Sequence, residues 1–214
     1  MGYIGLKQKH KSVQEQLSEA NNIRIHRALK WLERSEKESN DDDAQFIFLW
    51  ISFNAAYAEE LGHQRSERDC LAAFFNKLVE VDQKHRIHQL LFQSFTNEIR
   101  TLIENKFVFE PFWKALREHD SSDTWKDKFE GSKKAAFAKL LQNDTAEVLS
   151  IVFDRLYVLR NQLIHGGATW DSNVNRQQVQ DGRRIMEKLV PLMIEIMIEA
   201  GDADFGELTF PVVR

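Results

Sequence analysis

The stretch DTAEVLSIVFDRLYVLRNQLIHGG, residues 144–167, decides how this chain is to be read. At about 100° per residue, Val148, Val152, Leu156, Leu159 and Leu163 fall on one continuous apolar stripe, which predicts a long helix packed into a bundle. Gly166 and Gly167 release the chain directly after His165. The other side of the same helix carries Phe153, Tyr157 and Ile164, bordered by Asp154, Asn161 and His165. One stripe suffices for a bundle, so this second apolar surface predicts a further partner.

Working outward, residues 12–38 read as an amphipathic helix, with apolar positions recurring at Ile23, Ala28 and Trp31/Leu32. Asp41, Asp42 and Asp43 then supply a capping turn and favourable charge for the next helix start. Residues 46–61 (FIFLWISFNAAYAEEL) are apolar on nearly every face, which predicts a central helix ending at Gly62. Asn54 is the polar exception there and needs either a structural hydrogen bond or a role beside the functional site. Shorter helices are expected over 67–81, 83–92, 97–106, 112–118 and 124–141, and a final helix over 175–200. Ile185, Leu189, Leu192/Met193 and Ile196 share one face of that last helix. Pro191 inside it predicts a kink or a change of register. The tail FGELTFPVVR (205–214) predicts only an extended segment.

An all-α single domain over 1–214 follows. The chain has 9 Gly and 3 Pro in 214 residues, and no stretch has the composition of an interdomain linker. A net charge of -4 gives no global attraction to nucleic acid or to an anionic membrane. The one cysteine, Cys70, has no intramolecular disulfide partner, and no N-terminal apolar run resembles a leader or a membrane span. A cytoplasmic protein is the default expectation.

Asn161 and His165 are four residues apart and so are neighbours on the helix surface, with Arg160 about 100° to the side. His165 falls in the last turn, where the helix dipole favours a protonated imidazole. An arginine, an amide and a titratable histidine suit an anionic substrate with chemistry at phosphorus. Cleaving RNA through its own 2′-hydroxyl needs a base and an acid, and no metal. One histidine does not fill both roles at once, whereas a two-fold dimer brings two sets together. By spacing alone the same residues also suit capping or an ordinary surface.

LRNQLIHGGATW (159–170) resembles the signature of the HEPN superfamily, an Arg, a polar residue and a His spaced as R-N-x3-H. FLWISFNAAYAEE (48–60) is similar to the aromatic, Asn-containing second helix of its Apea-like members. The resemblance implies a four-helix core from 12–38, 43–61, 144–165 and 175–200, with 66–142 inserted between the second and third helices. It also implies a dimeric endoribonuclease, independent of metal and cofactor, that leaves a 2′,3′-cyclic phosphate and serves defence, toxin systems or RNA processing. Arg160 would stabilise the scissile phosphate, His165 would move protons and Asn161 would orient one of them. Asn54, Phe153, Asp154, Tyr157 and Ile164 would support the site or its interface. Other members only bind RNA or a protein, and a regulatory protein partner is a further expectation. One subgroup, paired with small nucleotidyltransferases, carries Tyr two residues after the His; Gly167 stands there instead.

Lys126, Lys128, Lys133, Lys134 and Lys139 form the densest basic stretch, interleaved with Trp125, Phe129 and Phe137. At helical spacing those aromatics read as core, with an RNA groove carried by Lys126, Lys133 and Lys134 as the alternative. His85 and His88, three apart, read as part of a solvated face, since no further ligand completes a metal pattern. No GxSxG, P-loop, GxGxxG or HExxH is present, which removes positive support for hydrolase, NTPase, dinucleotide or zinc-protease readings.

Overall fold

The computed structural model describes residues 1–57, 66–201 and 203–213. Ten α-helices occur among them: α1 (Tyr3–Val13), α2 (Glu19–Glu36), α3 (Asp42–Tyr57), α4 (Glu67–Val81), α5 (Arg86–Gln89), α6 (Thr96–Glu104), α7 (Glu110–Arg117), α8 (Thr124–Leu141), α9 (Thr145–Ile164) and α10 (Arg176–Glu199). The all-α expectation holds. The chain divides into two compact units, one made of 1–87 with 183–214 and the other of 88–182. The helices expected to form a four-helix core are shared between them: α2 and α3 belong to the first, α9 to the second, and α10 to both.

In the first unit, the helix expected from residue 12 is instead two helices. Ser18 breaks the run with extended backbone, and its hydroxyl accepts from Asn21 N–H at 3.1 Å to start α2. Ile25, Ala28, Leu29 and Leu32 are buried on α2, while Trp31 is partly exposed and stacks on Phe48 at 5.9 Å. Helices α2 and α3 pack closely, and Ser52 Oγ donates to Ala28 O across them at 2.7 Å. The expected stop of α3 at Gly62 lies outside the described residues. Helix α10 continues through Pro191 without a break in its assignment. Proline there removes one N–H, and the bonds on either side carry the helix past it. The tail stays free of helix, with Phe205 buried 6.0 Å from Phe74 and Gly206 O accepting from Arg24 at 2.7 Å.

The second unit positions the segment of interest. Helix α8 ends at Leu141, Asn143 turns the chain with a φ of 55°, and Asp144 then caps α9 by accepting from Glu147 N–H at 3.3 Å. Helix α9 touches α6, α8 and the 3-10 turn Lys106–Val108. Val148, Val152, Leu156 and Leu159 of the expected stripe are buried; so are Leu149, Phe153, Arg155 and Val158. The helix expected over 83–92 begins three residues later and opens into a π-turn over Leu90–Ser94. Of the aromatics expected as core on α8, Phe129 is buried, while Trp125, which packs edge-on against Phe112 at 5.0 Å, and Phe137 are half-buried.

Candidate functional site

Arg160, Asn161 and His165 all lie in the last turn and a half of α9, within one compact unit. Arg160 Nη1 donates to Asn161 Oδ1 at 2.8 Å, which bends the guanidinium round to its neighbour. The guanidinium carbon sits 5.8 Å from the centre of the Tyr157 ring. Among the described residues no carboxylate pairs with Arg160, and its Nε is shielded from solvent without a hydrogen-bond partner. The positive charge is therefore held in place by a neutral amide and a ring, and an anion would find it uncompensated.

His165 is the C-cap of α9 and is exposed; its N–H donates to Asn161 O at 3.0 Å. Gly166 follows with φ of 70°, a left-handed position that a side chain would strain, and Ala168 N–H returns to Gln162 O at 3.0 Å. The helix thus stops at the imidazole because Gly166 turns the backbone there. Among the described residues no hydrogen bond joins the His165 ring to Arg160 or Asn161.

Phe153 corrects the expectation of a second exposed apolar surface. Its side chain is fully buried, because α9 is covered on more than one side by the elements of its own unit. What remains exposed is Tyr157, at 39%, and Ile164, at 44%. Asp154 is half-buried beside them. Asn54 belongs to the other compact unit and is half-buried.

The basic stretch of α8 is partly neutralised. Lys126 pairs with Asp123 at 2.7 Å, Lys133 with Glu130 at 2.7 Å and Lys139 with Asp144 at 3.0 Å, while Lys134 is exposed. Lys133 also lies over the Phe129 ring at 5.1 Å. His88 is engaged in structure: its Nδ1 meets Thr145 Oγ1 at 3.2 Å and its ring packs on Phe92.

Two features were not legible in the motif. Arg155, five residues before Arg160, is buried with its guanidinium 4.6 Å from the Phe109 ring and 5.7 Å from that of Phe129, and Nη2 donates to Ser132 Oγ at 3.0 Å. Burial lowers its pKa to about 10, against the opposing pull of Asp154. The second is a pocket of about 300 Å³ that begins at Gln162 and Gly167 and is walled by Phe107 and Trp113. Gln162 was the one signal for it, a polar residue in a position the motif leaves open.

No family model matches the chain, and neither a curated protein nor a solved structure matches it. The geometry of these residues therefore carries the functional argument.

Proposed function

We propose that the protein is an endoribonuclease of HEPN type that cleaves RNA by attack of the 2′-hydroxyl on the adjacent phosphorus, at a site completed by a second copy of the chain. The observation that carries this reading is the Arg160 guanidinium, oriented by Asn161 Oδ1 at 2.8 Å and lacking a carboxylate partner among the described residues, on the turn that ends at exposed His165. A guanidinium so placed matches the paired oxygens of a phosphodiester and stabilises the charge added at phosphorus in the transition state.

In this reaction the 2′-oxygen loses its proton to a base and forms the new P–O bond. The 5′-oxygen departs and is protonated by an acid, leaving a 2′,3′-cyclic phosphate and a 5′-hydroxyl. Imidazole serves either role near neutral pH, and two copies of His165 supply one of each. Asn161 holds Arg160 towards the phosphate. Exposed Tyr157 and Ile164 flank the motif on the same helix and suit a self-complementary contact across a two-fold axis.

The test is incubation of the purified protein with structured RNA in EDTA. Fragments ending in 2′,3′-cyclic phosphate are expected, and His165→Ala is expected to abolish them while leaving the melting temperature and the oligomeric state unchanged. Cleavage that persists in His165→Ala removes the assignment. Binding without cleavage by the wild type would turn the reading towards an RNA- or protein-binding module.

A further inference from the structure

The pocket beside the motif has a character of its own. Its wall combines the rings of Phe107 and Trp113 with the polar side chains of Gln162, Ser172, Asn175 and Gln178. None of the side chains lining it is charged, in a protein where 29% of residues are. Its volume, about 300 Å³, is at the lower end of the range for small-ligand sites. Such a lining disfavours a phosphate, which asks for cationic donors, and favours a flat neutral ring with donors and acceptors on its edge.

The polar groups are not consumed by the fold. Asn175 Oδ1 is shielded from solvent and has no hydrogen-bond partner among the described residues. Its Nδ2 enters no hydrogen bond among the described residues and is free to donate. The Gln178 amide likewise enters no hydrogen bond among the described residues. By contrast, Gln162 Nε2 and Trp113 Nε1 both donate to Phe107 O, at 2.6 and 2.8 Å, which holds the two aromatic walls and the end of α9 together before any ligand arrives. Lys106 Nζ lies 5.2 Å from the centre of the Phe107 ring, so a cation stands beside a neutral slot.

We infer that this pocket is a base-recognition subsite: it takes one unstacked nucleobase of a single-stranded RNA whose backbone runs past Arg160 and His165. The base stacks against Phe107 and Trp113 and is read on its edge by Asn175 and Gln178. Gln162 and Gly167 bracket the His165 position in sequence and line the pocket, which puts the subsite at the same end of α9 as the motif. The inference rests on the ribonuclease reading above, yet it is tested without cleavage.

The experiment follows the indole N–H resonance of Trp113 in ¹⁵N-labelled full-length protein, assigned with Trp113→Phe, during titration with adenosine, guanosine, cytidine and uridine. At least one nucleoside is expected to move it saturably. Gln178→Ala should weaken that binding about tenfold, the effect of losing one hydrogen bond, and Ala168→Phe, which fills the pocket, should abolish it. Spectral dispersion shows that each variant is folded; if Ala168→Phe is not, Gln178→Ala decides. A trinucleotide containing the preferred base should bind at least tenfold tighter than the nucleoside. A resonance unmoved by all four nucleosides, moved equally by inorganic phosphate, or unaffected by Gln178→Ala overturns the inference. Equal affinity for nucleoside and trinucleotide overturns the RNA assignment. Nucleoside binding without RNA cleavage would sink only the ribonuclease reading, and cleavage without nucleoside binding only the base subsite.

Discussion

Gln162 and Trp113 share one acceptor: Nε2 of the first and Nε1 of the second both donate to Phe107 O, at 2.6 and 2.8 Å. Gln162 lies between Asn161 and His165, so this carbonyl ties the motif's own turn to the start of α7. Replacing Gln162 with Leu removes one such bond, worth about 1 kcal/mol, and should lower the melting temperature by roughly 2–4 °C. Because the lost bond anchors the turn that carries His165, RNA cleavage should fall more than that stability change implies. Calorimetry and initial rates on the same preparation check both.

Arg160 donates in a fixed fork, and Asn161 holds that fork from the side. Arg160→Ala should reduce the cleavage rate by about 10²- to 10³-fold, the usual effect of removing one preorganised donor to a developing oxyanion. Arg160→Lys should recover little of it, since an ammonium keeps the charge but not the paired geometry. Single-turnover rates at saturating protein distinguish this from weakened RNA binding.

Tyr157 and Ile164 are what remains exposed of the surface expected to bind a second copy. A carboxylate at the centre of such a contact would be buried without a partner. Ile164→Asp should therefore convert a dimer to a monomer in light scattering and abolish cleavage together with it. A wild-type protein that is monomeric at the concentrations where it cleaves RNA would remove the two-copy site.

Arg155 packs against both Phe109 and Phe129, with its pKa lowered to about 10 by burial. Truncation to Ala should cost about 2–4 kcal/mol, through the cavity and the loss of both ring contacts. Arg155→Met keeps the volume and removes a desolvated charge, and should change stability by no more than about 1 kcal/mol in either direction. Urea unfolding of the two variants gives the comparison.

His10 is buried, which lowers its pKa from the usual 6.5; the hydrogen bond to Asn22 Oδ1 at 3.0 Å opposes that shift and nearby His26 adds to it. The unfolded chain therefore binds the proton more readily than the folded one between pH 6.5 and the lowered value. Stability from this site is complete above pH 6.5 and falls as the pH drops through that window. Melting temperatures between pH 7.5 and 5 should decline more steeply for the wild type than for His10→Leu. Parallel slopes would mean that His10 does not carry the effect.

Much of the helical layout was legible because it depends on local signals. Glu67–Val81 and Thr124–Leu141 were readable end to end from their periodicity and flanking residues. Gly166 marked the end of α9 because only glycine adopts its backbone angle without strain. The break at Ser18 was not legible, since a hydroxyl that caps a helix looks the same in sequence as one on its surface.

Sequence alone determined that α9 exists, where it stops, and that Arg160, Asn161 and His165 share its final turns, because a helix sets the spacing of residues three and four apart. Tertiary structure decided which faces of α9 are covered. Phe153 is buried, Tyr157 and Ile164 are not, and Phe107, Trp113, Gln162 and Asn175 meet at one pocket although they span 69 positions of the chain. Burial and convergence depend on contacts between segments far apart in the chain, and a local repeat of apolar residues contains no record of them.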